Sequence, residues 1–246
     1  MSGRGSGSRA AARARLAERI DALGLVPSEP SPCPYLPGRP SRLVLLRPSE
    51  LTAPLYHLFL DLNFRRLGFG VYRPRCDGCN ECRQLRVPVS AFRPNRSQRR
   101  CLARNADVRA TVQAPEPTEE KHAVYRAYLE ARHQGEMTGS WKEFCEFLHQ
   151  GPSFTREVVY RAGERLVGAA IVDVGPESMS AVYFYFDPTL ASRSPGTFNV
   201  LWLVSECRRR RIPWLHLGYH VAGSRTMAYK TSFHPHEILG PDGQWR

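Results

Sequence analysis

The succession of hydrophobic periods in this chain predicts a mixed α/β fold. Two helix-like segments, one over Thr118–His133 and one from Ser140, precede three strand-like runs, and an apolar helix and a short apolar strand close the series. With 246 residues the chain is long enough for one large α/β domain or two smaller ones.

Each element has its own signal. The opening MSGRGSGSRAAARARL is basic, and its Gly and Ser break any amphipathic helix before Ala10. Residues 1–22 are therefore expected to be a disordered basic tail with a short helix, in which Leu16, Ile20 and Leu23 share a face and Gly24 is the stop. Pro27 to Pro40 is proline-dense and irregular, and Leu43–Leu46 suits a buried strand. Pro48-Ser49-Glu50 reads as a helix start, with Leu51, Leu55, Leu58, Phe59 and Leu62 on one face until Gly68. Val108–Val112 alternates like a strand. Thr118 caps the next helix, with Glu119 and Glu120 in its first turn and Val124, Tyr125, Tyr128 and Leu129 inward. Ser140 and Glu143 form a capping box for a helix that buries Trp141, Phe144, Phe147 and Leu148. Thr155–Arg161, Arg165–Val174 and Met179–Phe186 read as a meander, Gly196 to Cys207 as an apolar helix, and Trp214–Leu217 as a core strand. The expected division is a Cys- and Arg-rich α+β domain over 23–113 and a second domain over 114–246.

No run of about 18 apolar residues occurs, so no membrane contact is expected. The N-terminal segment lacks the apolar centre of a secretory signal, and seven cysteines, an odd number, fit reduced thiols in the cytoplasm. The net charge of +12 and pI near 9.8 point to a polyanionic partner. Lysine occurs only at Lys121, Lys142 and Lys230, a skew toward arginine that a GC-rich genome produces unaided, so clustering is the better evidence. Between Arg65 and Arg104 there are 11 arginines against Asp77 and Glu81.

That same segment holds Cys76-x-x-Cys79-x-x-Cys82, a spacing that suits Zn²⁺ or an iron-sulfur cluster, with Cys33 or Cys101 to complete a ligand set. Buried thiols steadying a loop explain the pattern equally well. Arg96, Arg99, Arg100 and Arg104 fall on one helical face almost free of carboxylates, which suits phosphates. Arg193-Ser-Pro-Gly196 offers backbone N–H groups at a helix start for the same purpose. Period-two alternation sets Tyr183, Tyr185 and Asp187 on one face, either a reactive face or tyrosines under a loop with Asp187 making a turn. Tyr229 and Lys230 in a turn-rich stretch suit a base or a carboxylate. No P-loop, HExxH or strand-borne GxGxxG occurs, so ATP and dinucleotide chemistry find no support.

Five blocks together carry a family resemblance: CPYLPGR, YRPRCDGCNECRQLRVPVSAFRPNRSQRR, YFYFDP, GTFNVLWL and LGYHVAGSRTMAYK…ILGPDGQW. In these the chain resembles the bacterial aspartate/glutamate leucyltransferases, relatives of the arginyl-tRNA–protein transferases, over nearly its whole length from Leu23. The resemblance implies a C-terminal half similar to GNAT acyltransferases. It implies transfer of leucine from leucyl-tRNA to proteins beginning with Asp or Glu, which marks them for degradation by the N-degron route through a downstream protease adaptor. It also places Cys33 with Cys76, Cys79 and Cys82 at the metal-binding positions of the arginyl relatives, although Leu36 stands where those have a further cysteine.

On this reading the ester is already activated and transfer requires no cofactor. Arg96, Arg99, Arg100, Arg104, Arg193 and Gly196 are the expected tRNA contacts, and Arg73, Arg75 and Lys230 the expected grip on the acidic N-terminus. Asp187 is the expected proton acceptor, with Tyr183, Tyr185 or Tyr229 donating to an oxygen of the ester. Two competing readings are a zinc-knuckle nucleic-acid-binding module, which lacks a complete ligand set in one span, and a GNAT enzyme using acetyl-CoA, which lacks the full glycine pattern. An arginyl donor is the nearer alternative within the family.

Overall fold

The computed structural model describes residues 4–133 and 139–246. The chain runs α1 (Arg4–Ala22), β1 (Ser31–Pro32), β2 (Pro40–Ser41), β3 (Leu43–Leu46), α2 (Ala53–Asp61), β4 (Arg65–Leu67), β5 (Gly70–Pro74), β6 (Arg83–Pro88), α3 (Arg96–Arg104) and β7 (Val108–Gln113). It continues with α4 (Glu119–His133), α5 (Trp141–Phe144), β8 (Thr155–Ala162), β9 (Arg165–Val174), β10 (Ser178–Phe186), α6 (Pro195–Arg210), β11 (Trp214–His220) and β12 (Glu237–Ile238). A seven-stranded sheet has the order β12-β6-β11-β10-β9-β8-β7, and a smaller one the order β3-β5-β4. Every neighbouring pair in the large sheet is antiparallel except β10 and β11, which α6 joins as a crossover. A meander leading into a parallel pair through a helix is a mixed α/β layout, as the hydrophobic periods predicted. The strand set crosses the expected division at residue 113, because β6 and β7 pair with strands from the second half.

Both faces of this sheet are covered, which is why β9 reads Leu166-Val-Gly-Ala-Ala-Ile-Val172 without polar interruption. On one face the apolar length of α6, from Phe198 to Cys207, packs on Leu85, Val87, Leu215 and Leu217. On the other, Tyr125 and Leu129 of α4 and Phe144 of α5 meet Ala169, Ile171 and Tyr185. A third core lies in the N-terminal unit, where Ile20 of α1 and Tyr56, Phe59 and Leu60 of α2 cover Val44 and Val71.

Four local expectations are corrected. The tail is helical from Arg4, its first three residues lying outside the described ones. Tertiary anchors offset the poor propensity of Gly5 to Ser8: Arg9 pairs with Asp61 at 2.8 Å and Arg13 donates to the Gly243 carbonyl at 2.6 Å. Helix α2 starts at the Thr52 cap and ends nine residues later, and Gly68 turns the β4–β5 hairpin instead of stopping a helix. Of Leu43–Leu46 only Val44 is buried, because β3 lies in the small sheet with one face open. Trp141 remains 44% exposed, since α5 lasts four residues before a π-turn at Cys145–His149 rotates the following side chains.

Helix α3 begins with a complete capping box: the Asn95 carboxamide accepts from Gln98 N, and the Gln98 side chain accepts from Asn95 N, both at 2.9 Å. Asn95→Ala should therefore lower stability by about 1 kcal/mol, read as a thermal midpoint some 2–4 °C lower.

Two polar bolts join the N-terminal unit to the large sheet. Asp173 on β9 accepts both Arg66 Nε, at 2.7 Å to its nearer oxygen, and Thr155 Oγ1, at 2.7 Å. Asp61 on α2 accepts Arg9 Nη2 at 2.8 Å and Trp245 Nε1 at 2.9 Å, so one buried carboxylate gathers the first helix and the far end of the chain.

Candidate active site

The parallel pair β10–β11 stays in register only from Ser178 opposite Trp214 to Ser180 opposite His216. Just beyond, both strands bulge: β10 skips Val182 in its ladder with β9, and β11 skips Leu217 in its ladder with β6. A bulged strand bends away from its neighbour, so the two part and leave an opening in the sheet.

Arg65 of β4 fills that opening. Its Nη2 donates to the Ala181 and Val182 carbonyls at 3.1 and 3.2 Å, the groups that the bulge releases from the ladder. Its Nη1 lies on Gly218, so closely that a Cβ there would come within 1.4 Å. The guanidinium stands 5.9 Å from the centre of the Tyr219 ring, whose hydroxyl donates to Asn63 O at 2.9 Å. The carbonyl of the same Tyr219 accepts from Lys230 Nζ at 2.5 Å. Lys230, in a 3₁₀ turn over Ala228–Ser232, is only 6% exposed. Burial, reinforced by the nearby Arg65 charge, pushes its pKa down to about 7. Neutral aromatics surround the two cations: Tyr35, Tyr72 and Tyr219 all lie within electrostatic reach of Arg65. Burial, then Tyr72, pushes the Tyr35 hydroxyl up to about 12.

The fully buried cations other than Lys230 have carboxylate partners. Arg66 meets Asp173 at 2.7 Å, Arg86 meets Glu237 at 2.7 Å, and Lys121 meets Glu157 at 2.6 Å. Among the described residues no carboxylate pairs with Arg65 or Lys230.

The sequence candidates distribute unevenly around this opening. Tyr229 is half-exposed beside Lys230, in electrostatic reach of Arg65 and Tyr128. Tyr183 leaves the bulge toward α4, its ring 5.3 Å from Phe147 and 6.4 Å from Tyr128, with its hydroxyl sealed and unbonded. Tyr185 is wholly buried against Tyr125 and Phe144, so it is a core residue with no access to a substrate.

Asp187, expected to take the proton, is otherwise engaged. Its Oδ1 accepts Thr189 N at 3.0 Å and Thr189 Oγ1 at 2.7 Å, which caps a 3₁₀ turn, and its Oδ2 meets Arg165 Nη2 at 2.5 Å. Partial burial raises its pKa, but the hydrogen bonds from Thr189 and Arg165 outweigh that and hold it below the ordinary carboxylate value. It also lies five residues past Val182, roughly 16 Å of extended chain from the opening. The turn-making reading is the one the geometry supports.

Arg73 and Arg75 alternate with Tyr72 and so face away from Lys230. Arg73 stacks 4.7 Å from the Phe64 ring, Arg75 donates to Leu25 O at 3.4 Å, and both line a separate hollow of about 350 Å³ under α1. Arg96, Arg99, Arg100 and Arg104 are exposed along α3, and Arg193 joins them by donating to Arg104 O at 2.7 Å. Gly196 sits half-exposed in the first turn of α6 beside them. Gln98 of α3 donates to Ser232 O at 3.1 Å, which fastens this basic helix to the turn that carries Lys230.

The cysteines also lie at the margin of the site. Burial pushes the Cys82 thiol up to about 12, with Cys33, Cys76 and Cys79 all contributing, so the four sulfurs are neighbours. A metal needs side chains that converge on one point, and among the described residues no three His, Cys, Asp or Glu side chains are arranged to hold one ion. As they stand the four do not fit a metal, and no chemical step is routed through one. Cys101 is remote, with its thiol donating to Ser194 O at 3.5 Å.

Arg65 is the residue in this opening that sequence reasoning missed. It was counted only as charge in a basic segment, because nothing in the Arg65-Arg66 pair says which side chain pairs internally and which enters the opening.

Residues 31–100 match the family described as arginine-tRNA-protein transferase, N terminus, and residues 120–240 match its C terminus. The aspartate/glutamate leucyltransferase of Bradyrhizobium diazoefficiens is 38% identical over 230 residues, 88% of this chain and 89% of that one. That of Halorhodospira halophila is 41% identical over 219 residues, 87% and 92% of the two chains. Among solved structures, FemX aligns with a TM-score of 0.45 at 9% identity, over 76% of this chain and 67% of its own. With both halves of the sequence matched and relatives near 40% identity over almost nine-tenths of this chain, it belongs to the aspartate/glutamate leucyltransferases of the arginine-tRNA-protein transferase family.

Proposed function

We propose that this enzyme transfers leucine from leucyl-tRNA to the α-amino group of proteins that begin with Asp or Glu. The product then carries an N-terminal leucine for a downstream protease adaptor to recognise, in the cytoplasm. No helix among the described residues is long and apolar enough to cross a membrane. The observation that carries the reading is that Arg65, from the N-terminal family module, enters the opening between β10 and β11 of the C-terminal module, so both modules build one site.

The chemistry asks little beyond placement. In the reaction the acceptor α-amine attacks the ester carbonyl, an amide bond forms, the ester C–O bond breaks, and the proton lost by nitrogen goes to the departing ribose hydroxyl. The ester supplies the activation, so neither ATP nor a cofactor is required. An α-ammonium has a pKa of about 7.7–8.0, so a useful fraction is already neutral near pH 8 without a strong base. Alignment of amine and ester alone can supply about 7–11 kcal/mol. Exposed arginines of α3, together with Arg193 and the α6 start at Gly196, form the phosphate-binding flank, which positions the acceptor stem without reading sequence. Of the expected tyrosines, Tyr229 has the accessible ring and is assigned to donate to the ester oxygen or the leaving hydroxyl.

A transfer assay tests this directly. Charged leucyl- and arginyl-tRNA are offered in parallel to peptides beginning with Asp, Glu, Arg or Lys. Leucine should appear on the two acidic peptides alone; arginine incorporation, or leucine on the basic peptides, would refute the assignment.

A further inference from the structure

We propose that Arg65 and Lys230 together form the receptor for the side-chain carboxylate of the acceptor's first residue, and so decide which proteins are modified. This rests on the transfer reading above and names the residues that give it its acidic specificity.

The argument starts from charge balance. A buried cation without a counter-charge is costly, and the protein avoids that cost at Arg66, Arg86 and Lys121 by providing a carboxylate within 2.7 Å of each. At Arg65 and Lys230 it provides only carbonyl oxygens: those of Ala181 and Val182 for one, that of Tyr219 for the other. Both positive groups lean on the same residue, Tyr219, one against its ring and the other on its backbone oxygen. Arg65 is given no negative charge by the protein, and a carboxylate arriving from outside would complete it and favour the protonated form of Lys230, whose pKa of about 7 otherwise leaves it only partly charged.

Its chemistry follows from the shape of what remains. Nη2 of Arg65 is spent on the bulge carbonyls and Nη1 lies on Gly218, whereas Nε makes no hydrogen bond among the described residues, which leaves one charge-assisted donor for a carboxylate. Arg65 is half-buried, and Lys230, within electrostatic reach of it, is 6% exposed. A nucleic-acid phosphate is better served by the open arginines of α3 than by an ammonium so deep. An Asn or Gln side chain fits the same space but offers one neutral carbonyl oxygen and turns an amide NH₂ toward the other positive group, so neither charge is neutralised and the amides are disfavoured. Arg73 and Arg75 take no part, because they face the hollow under α1.

The test compares leucine transfer to matched peptides beginning with Asp, Glu, Asn and Gln. Wild type, Arg65→Met, Lys230→Met and the conservative Arg65→Lys are used, each first shown to be folded by its melting transition. Loss of a charge-assisted contact should lower kcat/KM for the acidic peptides about 10- to 100-fold in each methionine variant, through peptide KM. The amide-headed peptides and the KM for leucyl-tRNA should be unchanged, and Arg65→Lys should recover part of the acid preference. If Arg65→Met does not fold, Lys230→Met and Arg65→Lys carry the comparison. Folded variants that keep the wild-type ratio of Asp to Asn transfer, or that raise only the tRNA KM, overturn the assignment alone. A wild type that treats Asp and Asn peptides alike overturns the transfer reading and this assignment together.

Discussion

Asp173→Ala is expected to cost about 3–5 kcal/mol of stability, since it leaves a buried guanidinium without its counter-charge. Asp173 is 2% exposed and accepts Arg66 Nε with both oxygens, at 2.9 and 2.7 Å, as well as the Thr155 hydroxyl. Once the carboxylate is gone, Arg66 retains only Gly68 O, at 3.1 Å, and its Nη2 is already without a partner. Since a typical domain is stable by about 5–15 kcal/mol, the loss is a large share, and the thermal midpoint should fall by roughly 10 °C or more. Urea unfolding should show a lower midpoint at unchanged slope. The paired replacement Arg66→Met with Asp173→Leu should recover much of the loss, because it removes the uncompensated charge. Equal destabilisation of the single and paired variants would show that packing, and not charge, is what Asp173 contributes. The bolt also serves the site: Arg66 faces inward to β9, and the alternation of β4 then delivers Arg65 to the opening.

Gly218→Ala should preserve the fold and reduce transfer by about 100-fold, the loss that can follow when a bound substrate is misplaced by about an ångström. Gly218 has φ +78, a region that costs an L-residue about 1–2 kcal/mol, so a modest fall in melting temperature is expected. The larger effect is steric. An added Cβ would lie 1.4 Å from Arg65 Nη1, and the guanidinium must leave the Ala181 and Val182 carbonyls to make room. Gly163→Ala is the matched control, with a similar φ of +57 in the β8–β9 turn but open space around it. It should show the strain and full transfer. A folded Gly218→Ala enzyme with wild-type activity would mean that the position of Arg65 does not govern the reaction.

These cases also mark how far the sequence was readable. Elements from Thr118 onward were legible because each carries a local signal: the caps at Thr118 and Ser140 start helices, and β8 to β10 are apolar runs set apart by clear turns. The β4–β5 hairpin was not legible, since its three-residue strand is too short to show a period and the apolar run before it masks the helix end at Leu62. Helix α1 escaped for another reason: Gly5, Ser6, Gly7 and Ser8 argue against it locally, and only the distant partners of Arg9 and Arg13 offset them. Within the site, Lys230 stood out as one of only three lysines, in a turn with Tyr229. Asp187 also stood out, but a carboxylate before Pro-Thr is as apt to cap a turn as to take a proton, and local pattern does not separate the two. The role of Arg65 depends on two bulges and a glycine far along the chain, information that no single stretch contains.

The carboxylate of Asp61 has a consequence for the order of events during synthesis. Its partner Trp245 is translated 184 residues later, and Lys230 also comes from the last part of the described chain. The N-terminal unit with its arginines can therefore emerge and begin to collapse while neither Lys230 nor the Trp245 latch yet exists. A nascent chain carries the basic surface of α3 long before it has a working cleft, so it should gain affinity for RNA before it gains the ability to acylate. Competence then arrives late, once Lys230 and Trp245 have been made and Trp245 has met Asp61.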